Sequence, residues 1–203
     1  MLHLIQEGGV FMIPLLLGSA ITVGVALERL IFFLGLDGGG TAFREQLRGG
    51  ISRPEQLLNE LENRRGVVAA TARAGLAHWS DDPEQMAAAM AASARSESKQ
   101  LRRFLPLLET TVTACPLIGL LGTITGMMGV FRVVAQKLAN DPHANTTGIT
   151  AGIGEALIAT ATGILVAVVA LLIHNAFQAW GEAHLDEAEQ VADLLQLARR
   201  RAA

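Results

Sequence analysis

Glu155 opens a run of 18 uncharged residues, 156–173, inside the string Gly152-Ile153-Gly154-Glu155-Ala156-Leu157-Ile158-Ala159-Thr160-Ala161-Thr162-Gly163. Such a run crosses much of a hydrocarbon core about 30 Å thick. An acid in that setting costs several kcal/mol unless it faces a bundle interior or water. The chemistry open to it is proton carriage; the bland reading is a structural acid bonded to a neighbouring subunit. Thr160 lies about 7.5 Å further along the helix axis. Thr123 occupies the preceding apolar stretch. If the two stretches run antiparallel, both hydroxyls fall near the bilayer middle. A hydroxyl donates and accepts, so the pair can line a hydrated proton path. The alternative is that each bonds a carbonyl of its own helix, four residues back.

The stretches that carry these residues have distinct faces. At about 100° per residue, Gly152, Ala156, Thr160, Gly163, Ala167 and Ala170 form one small-residue stripe. Leu157, Ile158, Ile164, Leu165, Val168 and Leu172 form the opposite side. On the earlier stretch Gly119, Gly122, Gly126 and Gly129 fall on one side, next to Thr123. Each glycine costs about 1 kcal/mol in a helix interior, and close backbone approach explains the cost best. Gly119, Gly122, Gly126, Gly129 and Gly163 are therefore expected to pack helices, whereas Thr123, Thr160 and Glu155 are the candidates for a proton pathway.

Of the 203 residues 51% are apolar, 21 are glycine and 4% are aromatic, and there is no tyrosine. This describes an all-α membrane protein rich in small residues. A net charge of −3 argues against nucleic-acid binding, and Cys115 as sole cysteine excludes disulfide frameworks within a chain. Metal-ligand spacing, a phosphate loop and a nucleophile–base set are all missing from the sequence. The expectation is thus no enzyme, no cofactor and no metal. Three transmembrane helices are expected at about 9–34, 109–134 and 149–177. The first is read as an uncleaved anchor, because no Lys or Arg precedes its apolar run.

Ten of the 16 Lys and Arg residues lie in 37–104, and the tail 181–203 ends in Arg199-Arg200-Arg201. The link 135–148 holds only Lys137. The positive-inside rule puts loop and tail in the cytoplasm, and the link and N-terminus outside. Within the loop, an Ala-rich helix is expected over 66–79, then a cap at Ser80-Asp81-Asp82 with Pro83 in the next first turn. From Glu84 the chain could run helical into the second span, bent at Pro106. The tail continues the third span, with Leu185, Ala188, Ala192 and Leu195 on one face. Two of the three spans thus extend into the cytoplasm, and 1–203 reads as one domain. Trp180 suits an aromatic boundary anchor, Arg199–Arg201 a solvated or headgroup contact, and His174 an interfacial side chain.

Leu120-Leu121-Gly122-Thr123-Ile124-Thr125-Gly126-Met127-Met128 with Phe131, followed by the string from Gly152 to Gly163, closely resembles the MotA/TolQ/ExbB proton-channel family. Met12-Ile13-Pro14-Leu15-Leu16 and Glu28-Arg29-Leu30 resemble its ExbB/TolQ branch. The resemblance implies a homopentameric ring around an ExbD/TolR-like single-span dimer. It implies a TonB/TolA-like energy transducer as further partner, and the bacterial inner membrane as location. Thr123 and Thr160 match the family's pore-facing hydroxyls and Glu155 its acid in the third span; Glu109 matches no assigned role. Apart from Glu155 no ionisable group lies deep in the second or third span, so a complete pathway needs an acid from a partner. The function implied is a proton-channel subunit that uses the proton motive force to drive outer-membrane transport. The rivals are a TolQ-like or gliding-motility stator subunit with another client, and a passive oligomeric scaffold in the bilayer. A substrate transporter fits poorly, since no inverted repeat or broken span is visible.

Overall fold

The computed structural model describes residues 9–36, 43–45, 47, 51, 54–140 and 149–202. Among these residues the regular structure is helical throughout: α1 (Met12–Leu34), α2 (Pro54–Leu61), α3 (Val67–Ala77), α4 (Pro83–Leu101), α5 (Leu105–Asn140) and α6 (Ile149–Ala202). Three of them, over Met12–Leu34, Leu105–Gln136 and Gly152–Arg201, are long and apolar enough to cross a membrane. The helices overrun the uncharged stretches because a helix need not end where the hydrocarbon does. The expected link 135–148 splits at residue 140: α5 continues to Asn140, and 141–148 lies outside the described residues.

The chain forms two compact units, one from 1–27 and 104–175, the other from 28–103 and 176–203. The first holds most of the apolar helix length. There Met12, Leu15, Cys115 and Ala167 make a buried cluster, and Gly18 lies against the Cys115 thiol. Thr22 satisfies its hydroxyl on the Gly18 carbonyl at 2.9 Å, as expected of Thr within a helix.

The second unit is a helical bundle in which α3 packs on α2 and α4. Its core joins Leu57, Leu61, Ala72, Leu76, Met86 and Met90 to Val191 and Leu195 of the α6 tail. Buried Ala188 shares that face of α6, whereas Leu185 and Ala192 are only half-buried at its edge. α4 does begin at Pro83 with Asp82 at the cap position, though the Asp82 side chain makes no capping bond. The chain does not run unbroken from α4 into α5. α4 stops at Leu101, Phe104 takes φ 66°, and α5 starts afresh at Leu105. Pro106 has no N–H to bond the Arg102 carbonyl, so the ladder cannot pass through it and it serves instead in a first turn.

Arg29, which directly follows the first apolar run, is only 1% exposed. Its guanidinium donates to both carboxylate oxygens of Glu28, and to the Gln100 carbonyl at 2.8 Å near the end of α4. It also lies 4.4 Å from the centroid of the Phe32 ring. Trp180, an expected boundary anchor, packs edge-on against Phe33 and Phe177. Arg199 departs from the expected solvated cluster by donating to the Asp81 carbonyl.

Candidate functional site

α5 and α6 meet along a seam of small residues in the first unit. A Cβ on Gly119 would lie 2.9 Å from Thr160 Cα and 3.0 Å from the Ala159 carbonyl oxygen. On Gly163 it would lie 2.5 Å from the Cys115 carbonyl oxygen, and on Gly126 2.8 Å from Ala156 Cβ. On Gly122 it would meet Ala159 Cβ at 3.1 Å. Most of these neighbours are backbone or Cβ atoms that cannot swing aside, so glycine is what permits the approach. Facing them on α6, Ala156, Ala159, Ala167 and Ala170 are buried. Gly129 differs, for nothing lies within 4 Å of the position its Cβ would take. The seam passes instead through Val130, whose Cγ2 faces Gly152, because a 3.6-residue turn carries the contact line from Gly126 to between 129 and 130.

Thr160 belongs to this seam. Its hydroxyl donates to the Gly119 carbonyl across the two helices at 2.7 Å. That carbonyl is also the acceptor an ideal helix assigns to the Thr123 N–H, so Thr123 and Thr160 meet through one peptide group. The Thr123 hydroxyl donates to its own helix, to the Leu120 carbonyl at 2.7 Å. Each hydroxyl has its proton committed and keeps acceptor capacity for water. His174 is half-buried and its ring contacts Asn175.

Glu155 lies apart from both threonines. Its neighbour Ala156 points into the seam at 3% exposure, which turns Glu155 about 100° away. The carboxylate lies directly on Gly9, just before α1, where a Cβ would overlap Oε1. Gly9 has φ 66°, a conformation that favours glycine for a second reason. Glu155 is exposed and makes no hydrogen bond or ion pair among the described residues. Gly9 escaped the sequence reading; a glycine pair at the mouth of the first apolar run was its only signal.

Away from this seam and from the cluster with Met12 and Leu15, α5 and α6 leave apolar side chains open. Leu117, Met128 and Phe131 on α5, and Leu157, Leu165 and Leu172 on α6, are each at least 60% exposed. Two helices joined by a narrow seam, with aliphatic surfaces left open, need lipid or further helices around them.

Residues 63–190 match the description MotA/TolQ/ExbB proton channel family. The chain belongs to that family. Among its relatives, the biopolymer transport protein ExbB-like 3 of Synechocystis is 31% identical over 175 residues, covering 85% of this chain and 82% of the relative. The biopolymer transport protein exbB1 of Vibrio cholerae is 29% identical over 95% of this chain and 85% of its own length. The Tol-Pal system protein TolQ of Pseudomonas aeruginosa is 38% identical over 99 residues, covering 49% of this chain and 41% of its own. As a member of the ExbB/TolQ branch with three membrane-length helices, the chain is a multi-pass protein of the bacterial inner membrane.

Proposed function

We propose that this chain is the proton-conducting subunit of an ExbB/TolQ-type motor. It assembles as a homopentamer around an ExbD/TolR-like single-span dimer and drives a TonB/TolA-like energy transducer. The N-terminus and the 135–148 link face the periplasm; the 37–104 loop and the tail face the cytoplasm. Glu155, Thr123 and Thr160 carry the proton path, with a further acid from the partner helix.

The observation that carries this reading is the state of Glu155. A carboxylate at the head of a membrane-length uncharged run makes no hydrogen bond or ion pair among the described residues. Leaving it to lipid costs several kcal/mol, which favours polar surroundings supplied by water, a second copy or another protein. Membership of a proton-channel family supports proton carriage as its use. One charge moved through 100 mV releases about 2.3 kcal/mol, enough to bias a rotation or tilt and too little for large chemistry.

The test is proton flux in liposomes that hold the chain and its single-span partner. Glu155→Gln should preserve the pentamer by native mass spectrometry and abolish flux; wild-type flux in that variant refutes the role. A passive scaffold is the second reading, favoured by the commitment of both threonine protons to carbonyls. An assembled wild-type complex that passes no protons under an imposed gradient would establish the scaffold instead.

A further inference from the structure

In the second unit a cavity of about 760 Å3 opens between the carboxyl-terminal end of α1 and the turn leading into α3. One wall is apolar, built from Ile31, Phe32 and Leu36. It continues along α1 into side chains left open in the chain, with Ile31 72% and Leu34 75% exposed. The opposite wall carries three guanidinium groups, Arg64, Arg65 and Arg73. Arg73 is committed to the fold, its Nη1 donating to the carbonyls of Leu61 at 2.9 Å and Arg64 at 3.0 Å. Arg64 is half-buried and Arg65 exposed, and neither guanidinium makes a hydrogen bond or ion pair among the described residues.

The other charges on the cavity are Glu62 and Glu97, so the wall keeps an excess of one positive charge. Behind Phe32, the Arg29 guanidinium is offset by Glu28. α3 has Gly66 at its N-cap, with no side-chain cap and no acid in its first turn, and so turns the positive end of its dipole toward the same space.

We propose that this cavity binds the headgroup of an anionic glycerophospholipid. Its phosphate pairs with Arg64 and Arg65, while its acyl chains follow Ile31 and Leu34 along the first span. A lipid, unlike free phosphate, accounts for both walls: the guanidinium groups need an anion, and the apolar wall joins the surface of a membrane helix. Basic pockets beside membrane helices take such headgroups through charge-assisted bonds. The site is independent of proton conduction and is read without it.

The experiment titrates phosphatidylglycerol or phosphatidylcholine into the delipidated full-length chain in detergent, with bound lipid counted by native mass spectrometry. The wild type should bind phosphatidylglycerol in preference. Arg64→Ala with Arg65→Ala should weaken that binding about 25-fold, at about fivefold per arginine, whereas Arg64→Lys with Arg65→Lys should keep most of it. Arg95→Ala with Lys99→Ala removes as much charge from exposed positions of α4 outside the cavity and should bind like the wild type. Undiminished binding by the 64/65 alanine pair overturns the proposal, as does an equal loss in the 95/99 pair. Equal affinity for phosphatidylcholine, or full competition by inorganic phosphate, overturns the lipid assignment.

Discussion

Replacing Gly163 by alanine should force α5 and α6 apart, although alanine is the better helix former. The new Cβ would sit 2.5 Å from the Cys115 carbonyl oxygen and 3.2 Å from its carbon. Reaching an ordinary 3.4 Å contact needs a displacement of about 0.9 Å, and both atoms met are backbone. Overpacking of this kind costs about 1–3 kcal/mol. The separation also stretches the 2.7 Å Thr160–Gly119 bond, which in a membrane is worth about 0.6–1 kcal/mol. Helix propensity returns about 1 kcal/mol. The net expectation is a loss of about 1–3 kcal/mol. Gly129→Ala gains the same propensity, meets nothing within 4 Å in the protomer, and should be neutral or stabilising by up to about 1 kcal/mol. Reversible unfolding in mixed micelles, followed by circular dichroism, measures both. Equal stability of the two variants would refute the seam.

Two further outcomes follow from geometry. Thr160→Val should lower stability by about 0.6–1 kcal/mol through loss of the bond to Gly119, and Thr160→Ser should retain it; a serine variant as weak as valine in the same unfolding assay contradicts the assignment. Leu195 is 0% exposed in the core shared with Met90, so Leu195→Ala should cost about 3–5 kcal/mol. Thermal unfolding of the full chain reads it, and a change below about 1 kcal/mol would show that the tail does not share that core.

The three apolar helices were legible because charge-free runs of 18 to 22 residues have few other uses. The continuation of α6 through the tail was legible from its apolar face, but the ends of α5 were not, since it runs as helix from Leu105 to Asn140, past the stretch that hydrophobicity marks. The close-approach glycines could be read from spacing, because a fixed 3.6-residue turn decides which positions share a side. Gly129 sits one position off the contact line, a shift that depends on where the two helices cross. Thr160 shows a harder limit. Sequence offered it a water-lined path or a carbonyl of its own helix, and it bonds the neighbouring helix instead. Arg29 stands in the sequence directly after an apolar run, yet its burial depends on Glu28, Phe32 and a carbonyl 71 residues away. Seats such as Gly9 beneath Glu155 are set by tertiary approach, and a pair of adjacent glycines is the only local trace.

The tightness of the join between α5 and α6 has a mechanical consequence. Along the described join glycines bear on peptide backbone, on methyl groups and on the short Val130 side chain, so little there can bend or swap rotamers to take up slack. Sliding one helix past the other would drive Cβ atoms into carbonyls, so the two must swing as a single stiff blade. Any give in a working assembly then belongs to the blade's leucine and phenylalanine exterior, where flexible side chains can re-seat as it moves.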